Sequence, residues 1–291
     1  MSHGRFDYSP ITARSHLKFP NGARVAVWVT PNVEYFHWKK RAIGMTQITA
    51  ALSPDVLNHG WREYGARVGI WRIMEIMERT GFVATAALNS DVCQQYPEIV
   101  KEGNRLSWEW MAHGQSNSSL LTGIPEQDER AVIKDVLDTI GKATGKRSRG
   151  WLGPALTETD NTLDLLAETD VEYVSDWCND ELPYWMTTKS KPIIAMPYTL
   201  EIGDIPIFLE NGGNAEDFYR AVVDQFDVMY EDGAKIPRVL SIAIHPFLIG
   251  HPFRAKALQK ALSHISRHSD VWLTTGGAIA DWFKSSQPAS K

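Results

Sequence analysis

Cysteine is scarce in this sequence. Cys93 and Cys178 are the only two among 291 residues, so the chain has no disulfide framework and no C-x-x-C metal knuckle. This usage favours a reducing compartment. The N-terminal segment also has no apolar stretch of the kind that a secretory signal needs, so we expect a cytoplasmic location.

Long hydrophobic runs and a strong excess of one charge are missing as well. No stretch approaches the roughly 18 uncharged apolar residues of a transmembrane helix. The net charge of −5 argues against a broad nucleic-acid-binding surface. Hydrophobic residues make up 43% of the chain, which is enough for a large core. These features predict a small-molecule substrate, without nucleic acid or membrane as a partner.

Strand-like and helix-like segments alternate along the chain, and no Ser/Gly/Pro-rich linker divides them. This alternation is typical of parallel βαβ units. We therefore predict one α/β domain over residues 1–291: a distorted or incomplete TIM-like barrel of about seven strands. The predicted strands are 24–31, 82–88, 107–112, 150–152, 173–175, 192–198, 205–209, 239–244 and 271–274, with a hairpin between 192–198 and 205–209. The predicted helices are 66–80, 90–102, 125–144, 159–169, 215–231, 256–268 and 277–284.

Three segments lie outside this pattern. Residues 1–23 are predicted to be an extended N-terminal arm, and residues 285–291 a loose tail. Residues 33–64 show no regular period and are too long for a simple connection, which favours a functional loop on the barrel rim. Because the arm and the loop are irregular and rich in aromatics, we expect a homodimer or a homotetramer.

Polar residues lie at the ends of five of the predicted strands, and the one at the strand 150–152, Arg149, directly precedes it. Active sites of α/β barrels lie where the strands end, so five such positions in one chain indicate a site on that rim. The candidates are Asn32, Glu34, His113, Asn117, Arg149, Asp176 and His245.

These residue types suit proton transfer and substrate binding. His245 suits general acid–base catalysis, or it is a buried histidine bonded to a backbone carbonyl. Glu34 is a base, a metal ligand or half of an ion pair. Asp176 orients a histidine or caps a turn. Arg149 binds a substrate carboxylate or pairs with Asp176.

Tryptophan is abundant, with 11 residues in the chain. Tryptophans serve as core anchors or as the lining of an aromatic pocket. We predict that Trp151, Trp177 and Trp185 shape the substrate pocket. His59, His264 and His268 are expected on the surface.

The five polar stretches, in this order, resemble the motifs of the polysaccharide deacetylase-like superfamily (NodB, carbohydrate esterase family 4) over about residues 24–280. Its last motif, Leu-x-Ile-x-x-His, is met without gaps by Leu240-Ser241-Ile242-Ala243-Ile244-His245. The third motif is met loosely at 149–154. The resemblance implies a NodB-like barrel. It also implies a hydrolase in which one Asp and two His hold a metal and a second Asp acts as the base.

Two of the motifs depart from that pattern. The Asp-Asp pair of the first motif is replaced by Asn32-Val33-Glu34, and the second histidine of the next motif is Asn117. Zinc in a catalytic site normally has three good protein ligands. Glu34 and His113 supply two, and an Asn117 amide oxygen is a poor third. We expect no cofactor here, or at most a weakly held divalent ion such as zinc on these three residues.

The Asn-x-Glu form resembles a different branch, the PuuE-type allantoinases and cyclic imide hydrolases. The resemblance implies hydrolysis of a non-peptide carbon–nitrogen bond in a small amide, cyclic imide or ureide, with weak or no metal dependence. Those allantoinases usually have an aromatic residue near position 117, so allantoin itself is not implied.

In this mechanism Glu34 activates water or holds an ion, and His245 protonates the leaving nitrogen. His113 and Asn117 donate hydrogen bonds to the developing oxyanion. Asp176 orients His245. Asn32 contacts the substrate, and Arg149 anchors either the substrate or Asp176.

Two other functions are compatible with the sequence. One is a metal-dependent N-deacetylase of amino sugars or polysaccharide, which the missing second histidine disfavours. The other is a non-catalytic barrel that binds a small molecule. The presence of Glu34, His113, Asp176 and His245 argues against that alternative, because a decayed site would not need them.

Overall fold

The computed structural model describes residues 3–14 and 17–289, and within them a curved nine-stranded sheet forms the centre. The strands are β1 (Val25–Val33), β2 (Thr85–Leu88), β3 (Glu109–Ala112), β4 (Gly150–Trp151), β5 (Tyr173–Val174), β6 (Tyr184–Met186), β7 (Ile193–Ala195), β8 (Arg238–Ile244) and β9 (Val271–Leu273). Their order is β6-β7-β5-β4-β3-β2-β1-β8, and β9 pairs with β1. Every pairing is parallel except β6 with β7.

The helices cover the outside of the sheet. They are α1 (Val56–Tyr64), α2 (Ile70–Thr80), α3 (Ser90–Gln95), α4 (Pro97–Arg105), α5 (Glu126–Thr144), α6 (Thr162–Ala167), α7 (Ala215–Asp232), α8 (Pro252–Ile265) and α9 (Gly276–Ser286). Shorter 3-10 or π-helical turns occupy Ile11–Arg14, Pro20–Gly22, Gly65–Gly69, Pro154–Leu156 and Pro206–Glu210. This arrangement confirms the predicted incomplete α/β barrel.

Strand β1 pairs with β2, β8 and β9 and is buried along its whole length. A parallel strand with both faces covered needs a continuous apolar run, and the sequence of β1 supplies one. Its register with β8 pairs Pro31 with Ile244. The next residues on the two strands, Asn32 and His245, therefore lie at the same height at the carboxyl end of the sheet.

The barrel is incomplete because its two end strands, β6 and β8, make no ladder with each other. Single hydrogen bonds bridge the gap. Val239 N donates to Glu181 O at 2.8 Å, and Ser241 N donates to the Thr199 hydroxyl at 3.3 Å. The segment that follows β7 thus reaches across to β8, and this brings residues near position 200 to the rim.

The clearest periodic segment of the sequence forms the predicted helix. Helix α2 buries Ile70, Ile73 and Met77 on one face, and each such side chain contributes about 1.5–3 kcal/mol when it leaves water. Gly81 ends the helix in the left-handed conformation, with φ of 81°, which glycine adopts without the steric cost of a Cβ. The π-helical turn Gly65–Gly69 precedes α2.

Three element predictions are wrong. The 33–64 segment is not a loop throughout, because helix α1 occupies Val56–Tyr64 and begins at the cap residue Asp55. Residues 205–209 form no strand, because the segment is the π-helical turn Pro206–Glu210. The antiparallel partner of β7 is β6 instead. The predicted helix over 90–102 is two helices that meet at Tyr96, because Pro97 lacks the N–H needed to continue the first one.

The ends of the chain pack against the barrel. Helix α9 continues to Ser286, so the predicted loose tail does not begin at 285; residues 290 and 291 lie outside the described part. The arm is described except for residues 1, 2, 15 and 16. Within it Phe19 is buried, and Lys18 O accepts a hydrogen bond from Trp282 Nε1 at 2.9 Å.

The 33–64 segment exposes large apolar side chains, among them Met45, Ile48 and Leu52. The subunit association predicted from this segment stays a prediction. Among the described residues, no helix has both the length and the apolar character needed to cross a bilayer.

Candidate active site

A cavity of about 600 Å³ opens at the carboxyl ends of the strands. Its floor is polar and its walls are largely apolar. Phe36, Arg41 and Ile43 of the 33–64 segment are among its lining residues. The polar floor consists of Asn32, Glu34, His113, Asn117, Tyr198 and His245. Five of these six residues are candidates from the sequence, and the structure brings them together.

The Glu34 carboxylate lies at the centre of this floor, and its side chain is only 4% exposed. Three nitrogen atoms surround its Oε1 oxygen. Asn117 Nδ2 lies at 2.5 Å, His113 Nε2 at 3.4 Å and His245 Nε2 at 3.6 Å. Glu34 therefore links the two histidines and the Asn117 amide of the floor.

The tautomer of His113 follows from its other ring nitrogen. Nδ1 lies 2.6 Å from Leu152 O, and because a carbonyl oxygen can only accept, Nδ1 carries the hydrogen. In the neutral ring Nε2 then presents a lone pair towards Glu34. This geometry does not support the oxyanion-donor role predicted for His113.

The orientation of the Asn117 amide follows from a chain of hydrogen bonds that begins at the backbone N–H of Tyr35 and passes through Asn89. Tyr35 N can only donate, and it does so to Asn89 Oδ1 at 2.8 Å. Asn89 Nδ2 therefore faces Asn117 and donates to its Oδ1 at 3.0 Å. Asn117 must then turn its Nδ2 towards Glu34, so one of its N–H bonds is committed to that carboxylate.

This donor set does not fit a catalytic metal. An ion on Glu34 and His113 would face an N–H group of Asn117 where the third ligand should offer a lone pair. Zinc in a catalytic site normally takes three protein ligands. The remaining nearby nitrogen belongs to His245, whose pairing with a carboxylate favours its cationic form. The site carries acid–base groups in a geometry that does not require an ion.

His245 is held by a carboxylate that the sequence reasoning missed. Its Nδ1 lies 2.7 Å from Asp204 Oδ1, and its backbone N donates to Asp204 Oδ2 at 2.7 Å. Burial alone would lower the pKa of His245, but the charges of Asp204 and Glu34 outweigh it and raise the pKa above the ordinary value of 6.5. The protonated ring directs Nε2–H towards Glu34 and the cavity.

The prediction that Asp176 orients His245 is wrong. Its Oδ1 accepts a hydrogen bond from Gly153 N at 2.6 Å. Burial, followed by repulsion from Glu158, raises the pKa of Asp176 well above its usual value. Because Asp176 is bonded to Gly153 and His245 is bonded to Asp204, Asp176 does not support the imidazolium. Asp204 has this role instead, from a position 41 residues before His245 in the chain.

Arg149 is also wrongly predicted as a site residue. It directly precedes β4 and therefore lies at the end of the barrel where strands begin. Its Nη2 pairs with Glu172 at 2.6 Å and with Asp281 at 2.5 Å. These partners raise the pKa of Arg149 above its ordinary value, so the guanidinium stays in a structural ion pair away from the cavity.

The three tryptophans predicted to shape the pocket do not line it. Trp151 is fully buried in the core. Trp177 packs edge-on against Phe6 of the arm. Trp185 donates from Nε1 to Gln287 O at 2.8 Å. All three anchor the packing of the barrel and its arm, and this part of the prediction is wrong.

Tyr198 is the one residue of the floor that the sequence reasoning missed. Asn32 Nδ2 is oriented by two carbonyl acceptors, Thr30 O at 3.3 Å and Ile244 O at 3.4 Å. The same Nδ2 donates to the Tyr198 hydroxyl at 3.2 Å, which leaves the phenolic hydrogen free to point into the cavity. The sequence could have indicated this role, because Tyr198 is a polar residue three positions after the end of β7, and side chains that follow a strand lie at the rim.

The chain matches known proteins over most of its length. The polysaccharide deacetylase family profile matches residues 59–174. A protein of Schizosaccharomyces pombe, whose name places it among polysaccharide deacetylases, is 30% identical over 243 residues; the match covers 78% of this chain and 76% of that protein.

Two solved structures share the fold closely. A probable polysaccharide deacetylase from Pseudomonas aeruginosa PAO1 superposes with a TM-score of 0.85 at 28% identity, over 95% of this chain and 96% of that one. The PuuE allantoinase gives a TM-score of 0.85 at 28% identity, over 95% of each chain. The chain therefore belongs to the polysaccharide deacetylase family, and at that coarse level it is a hydrolase of carbon–nitrogen bonds.

Proposed function

We propose that this protein hydrolyses a carbon–nitrogen bond in a small amide, cyclic imide or ureide, without a metal ion on the barrel rim. The observation that carries the proposal is the environment of Glu34. One carboxylate oxygen faces His113 Nε2 at 3.4 Å and His245 Nε2 at 3.6 Å. Both rings turn Nε2 towards this carboxylate, and the Asp204 charge favours the protonated form of His245 that a general acid needs.

Glu34 acts as the general base. His113 Nε2 and Glu34 Oε1 are both acceptors, and a water molecule bound beside them donates one hydrogen to each. Glu34 takes a proton from this water while the oxygen forms a bond to the substrate carbonyl carbon. Asn117, which donates to Glu34, holds the carboxylate in position for the transfer.

His245 acts as the general acid. Its Nε2–H protonates the substrate nitrogen as the carbon–nitrogen bond breaks, so that the leaving group departs as a neutral amine or amide. Asp204 supports the imidazolium that provides the proton. Since Glu34 Oε1 lies 3.6 Å from His245 Nε2, the proton on Glu34 returns to His245 and restores both groups.

Tyr198 donates its free hydroxyl hydrogen to the oxyanion that forms on the carbonyl oxygen. Such a donor acts mainly on the transition state and is worth about 10²–10³ in kcat. We expect Tyr198→Phe to lower kcat by about 10²-fold with a small change in KM. Steady-state kinetics measure this split. Tyr184→Phe, whose hydroxyl bonds Asn179 outside the cavity, is the matched control, and equal activities of the two variants would contradict the assignment.

The walls of the cavity support a small, partly apolar substrate. The cavity volume of about 600 Å³ lies within the range of about 300–1,000 Å³ that is usual for small-molecule sites. Arg41 and Glu210 are the charged residues among the lining residues outside the floor. The apolar wall consists of Phe36, Ile43, Leu120, Leu156, Leu200, Ile205 and Pro206.

A substrate panel assayed with and without chelator tests the proposed function. The panel contains cyclic imides, hydantoins, linear ureides and N-acetylated amino sugars. We expect hydrolysis of at least one compound of the first three classes, and we expect it to persist after metal is removed with EDTA. Cleavage of the amino sugars alone, abolished by chelation, would instead show a metal-dependent deacetylase. Binding of a panel compound without turnover would indicate a non-catalytic barrel.

A further inference from the structure

A second group of metal-binding residue types lies far from the cavity, between helices α7 and α8. Asp227 is on α7, and His264 and His268 are on α8 and the turn that follows it. One ligand atom from each residue lies within 4.8 Å of the other two. We propose that these three side chains bind a divalent transition-metal ion, with zinc as the best fit, and that the ion joins α7 to α8. This inference does not depend on the proposed function.

The spacing of the two histidines suits chelation. Residues four apart on a helix lie on the same face one turn apart. Helix α8 ends at Ile265, but the turn continues, because His268 N donates to Ile265 O at 3.1 Å. The Asp227 carboxylate, 2.7 Å from His264 Nε2, completes two imidazoles and one carboxylate. That is a zinc ligand set, with a fourth position left for water.

The ring of His268 is already oriented as a metal ligand requires. Its Nδ1 lies 3.0 Å from His264 O, and because this acceptor is a carbonyl, Nδ1 carries the hydrogen. Nε2 therefore keeps its lone pair. Metal-bound histidines usually donate their other N–H to a carbonyl or carboxylate in this way.

Aromatic packing restricts the motion of both rings. His264 packs edge-on against Phe226 at 5.9 Å. His268 lies 4.9 Å from Phe226 and 5.0 Å from Tyr230 between ring centroids. Because the rings are held before any ion arrives, binding costs little side-chain entropy. The C-terminal end of α8 also carries a partial negative charge, which favours a cation there.

This site lies at the end of the barrel opposite the cavity. Helix α8 runs from the rim, after β8, down to the beginning of β9, and His264 and His268 lie in its last turn and just beyond it. An ion bound there would not reach Glu34 or a substrate. Its effect is expected on the stability of the α7–α8 pair, and not on the chemistry of hydrolysis.

Zinc titration of the full-length, tag-free chain after chelator treatment tests the site. We expect calorimetry to show one Zn²⁺ per chain. At about 100-fold excess over Kd, the Tm should rise by roughly 5 °C. His268→Ala and Asp227→Ala should each remove most of this zinc-dependent rise. Comparing Tm with and without zinc in each variant separates lost metal binding from a general loss of stability.

His113→Gln is the matched control, because it removes a histidine of the rim. This variant should keep the full zinc-dependent rise in Tm. Co²⁺ provides an independent readout, since a site with two histidines and one carboxylate should give the visible absorption of a four- or five-coordinate ion, and His268→Ala should lose it. A zinc-dependent rise that survives in His268→Ala, or that disappears in His113→Gln, would overturn the proposal.

Discussion

Replacing Glu34 with glutamine should lower kcat by about 10³-fold, within the range of about 10²–10⁴ that general acid–base groups contribute. The amide has nearly the same shape as the carboxylate but cannot take a proton from water. It also leaves Asn117 Nδ2 and the protonated His245 without their anionic acceptor. Steady-state kinetics on the best substrate of the panel measure the loss, and Tm measurements check that the fold is kept.

Glu210→Gln is the matched control for this change. Glu210 lines the same cavity but is not part of its polar floor, so the same loss of charge should leave kcat within a few-fold of the unmodified protein. If Glu34→Gln kept more than about a tenth of the turnover, the general-base role would be refuted, since a base contributes at least about 10²-fold. Comparable losses in both variants would point to a general effect of charge in the cavity.

Asp204→Asn should lower kcat by about 10²-fold or more and move the alkaline limb of the pH profile to lower pH. The charges of Asp204 and Glu34 raise the pKa of His245 against the effect of burial. Without the Asp204 charge the pKa falls, so the protonated acid is lost at a lower pH. Asparagine would also accept from the His245 backbone N–H and turn its own N–H towards Nδ1, which disfavours the imidazolium further.

Asp176→Asn is the matched control for Asp204→Asn. Asp176 accepts a hydrogen bond from Gly153 N, whereas His245 is bonded through both Nδ1 and its backbone N to Asp204, so Asp176→Asn should leave the position of the alkaline limb unchanged. The measurement is the pH dependence of kcat for both variants. A shifted limb in Asp176→Asn, together with an unshifted limb in Asp204→Asn, would restore the pairing predicted from the sequence.

The raised pKa of His245 also makes the stability of the folded chain depend on pH. The pKa of His245 is raised in the folded chain above the ordinary value of 6.5. Its protonated form therefore contributes stability that is complete below about pH 6.5 and is lost as the pH rises through the raised value. The general acid and this stabilisation are thus lost together, as the pH rises through the raised pKa of His245.

Sequence reasoning succeeded where a residue follows a long buried strand. Strands β1 and β8 are strongly apolar, and parallel pairing leaves one register in which their ends are level. Asn32, Glu34 and His245 could therefore be placed at one rim before the fold was known. His113, after β3, was placed by the same argument.

The same reasoning failed around β4, which is only two residues long. A change of one or two residues along such a strand moves a side chain from the rim to the other end of the barrel. Arg149 was assigned to the rim on this basis, but it lies where β4 begins. The turn Pro206–Glu210 was likewise assigned to a strand, because its short apolar run does not distinguish a strand from a tight helical turn.

By itself, the sequence determined the barrel class, the acid–base candidates of the rim and the loss of a full metal ligand set. These follow from local hydrophobic patterns and from residue identity. Only the tertiary structure decided that Asp204 and not Asp176 supports His245, that Tyr198 faces the cavity, and that Asn117 presents an N–H to Glu34. Each of these contacts joins residues more than 40 positions apart, and the packing of the whole barrel decides which of several equivalent side chains meet.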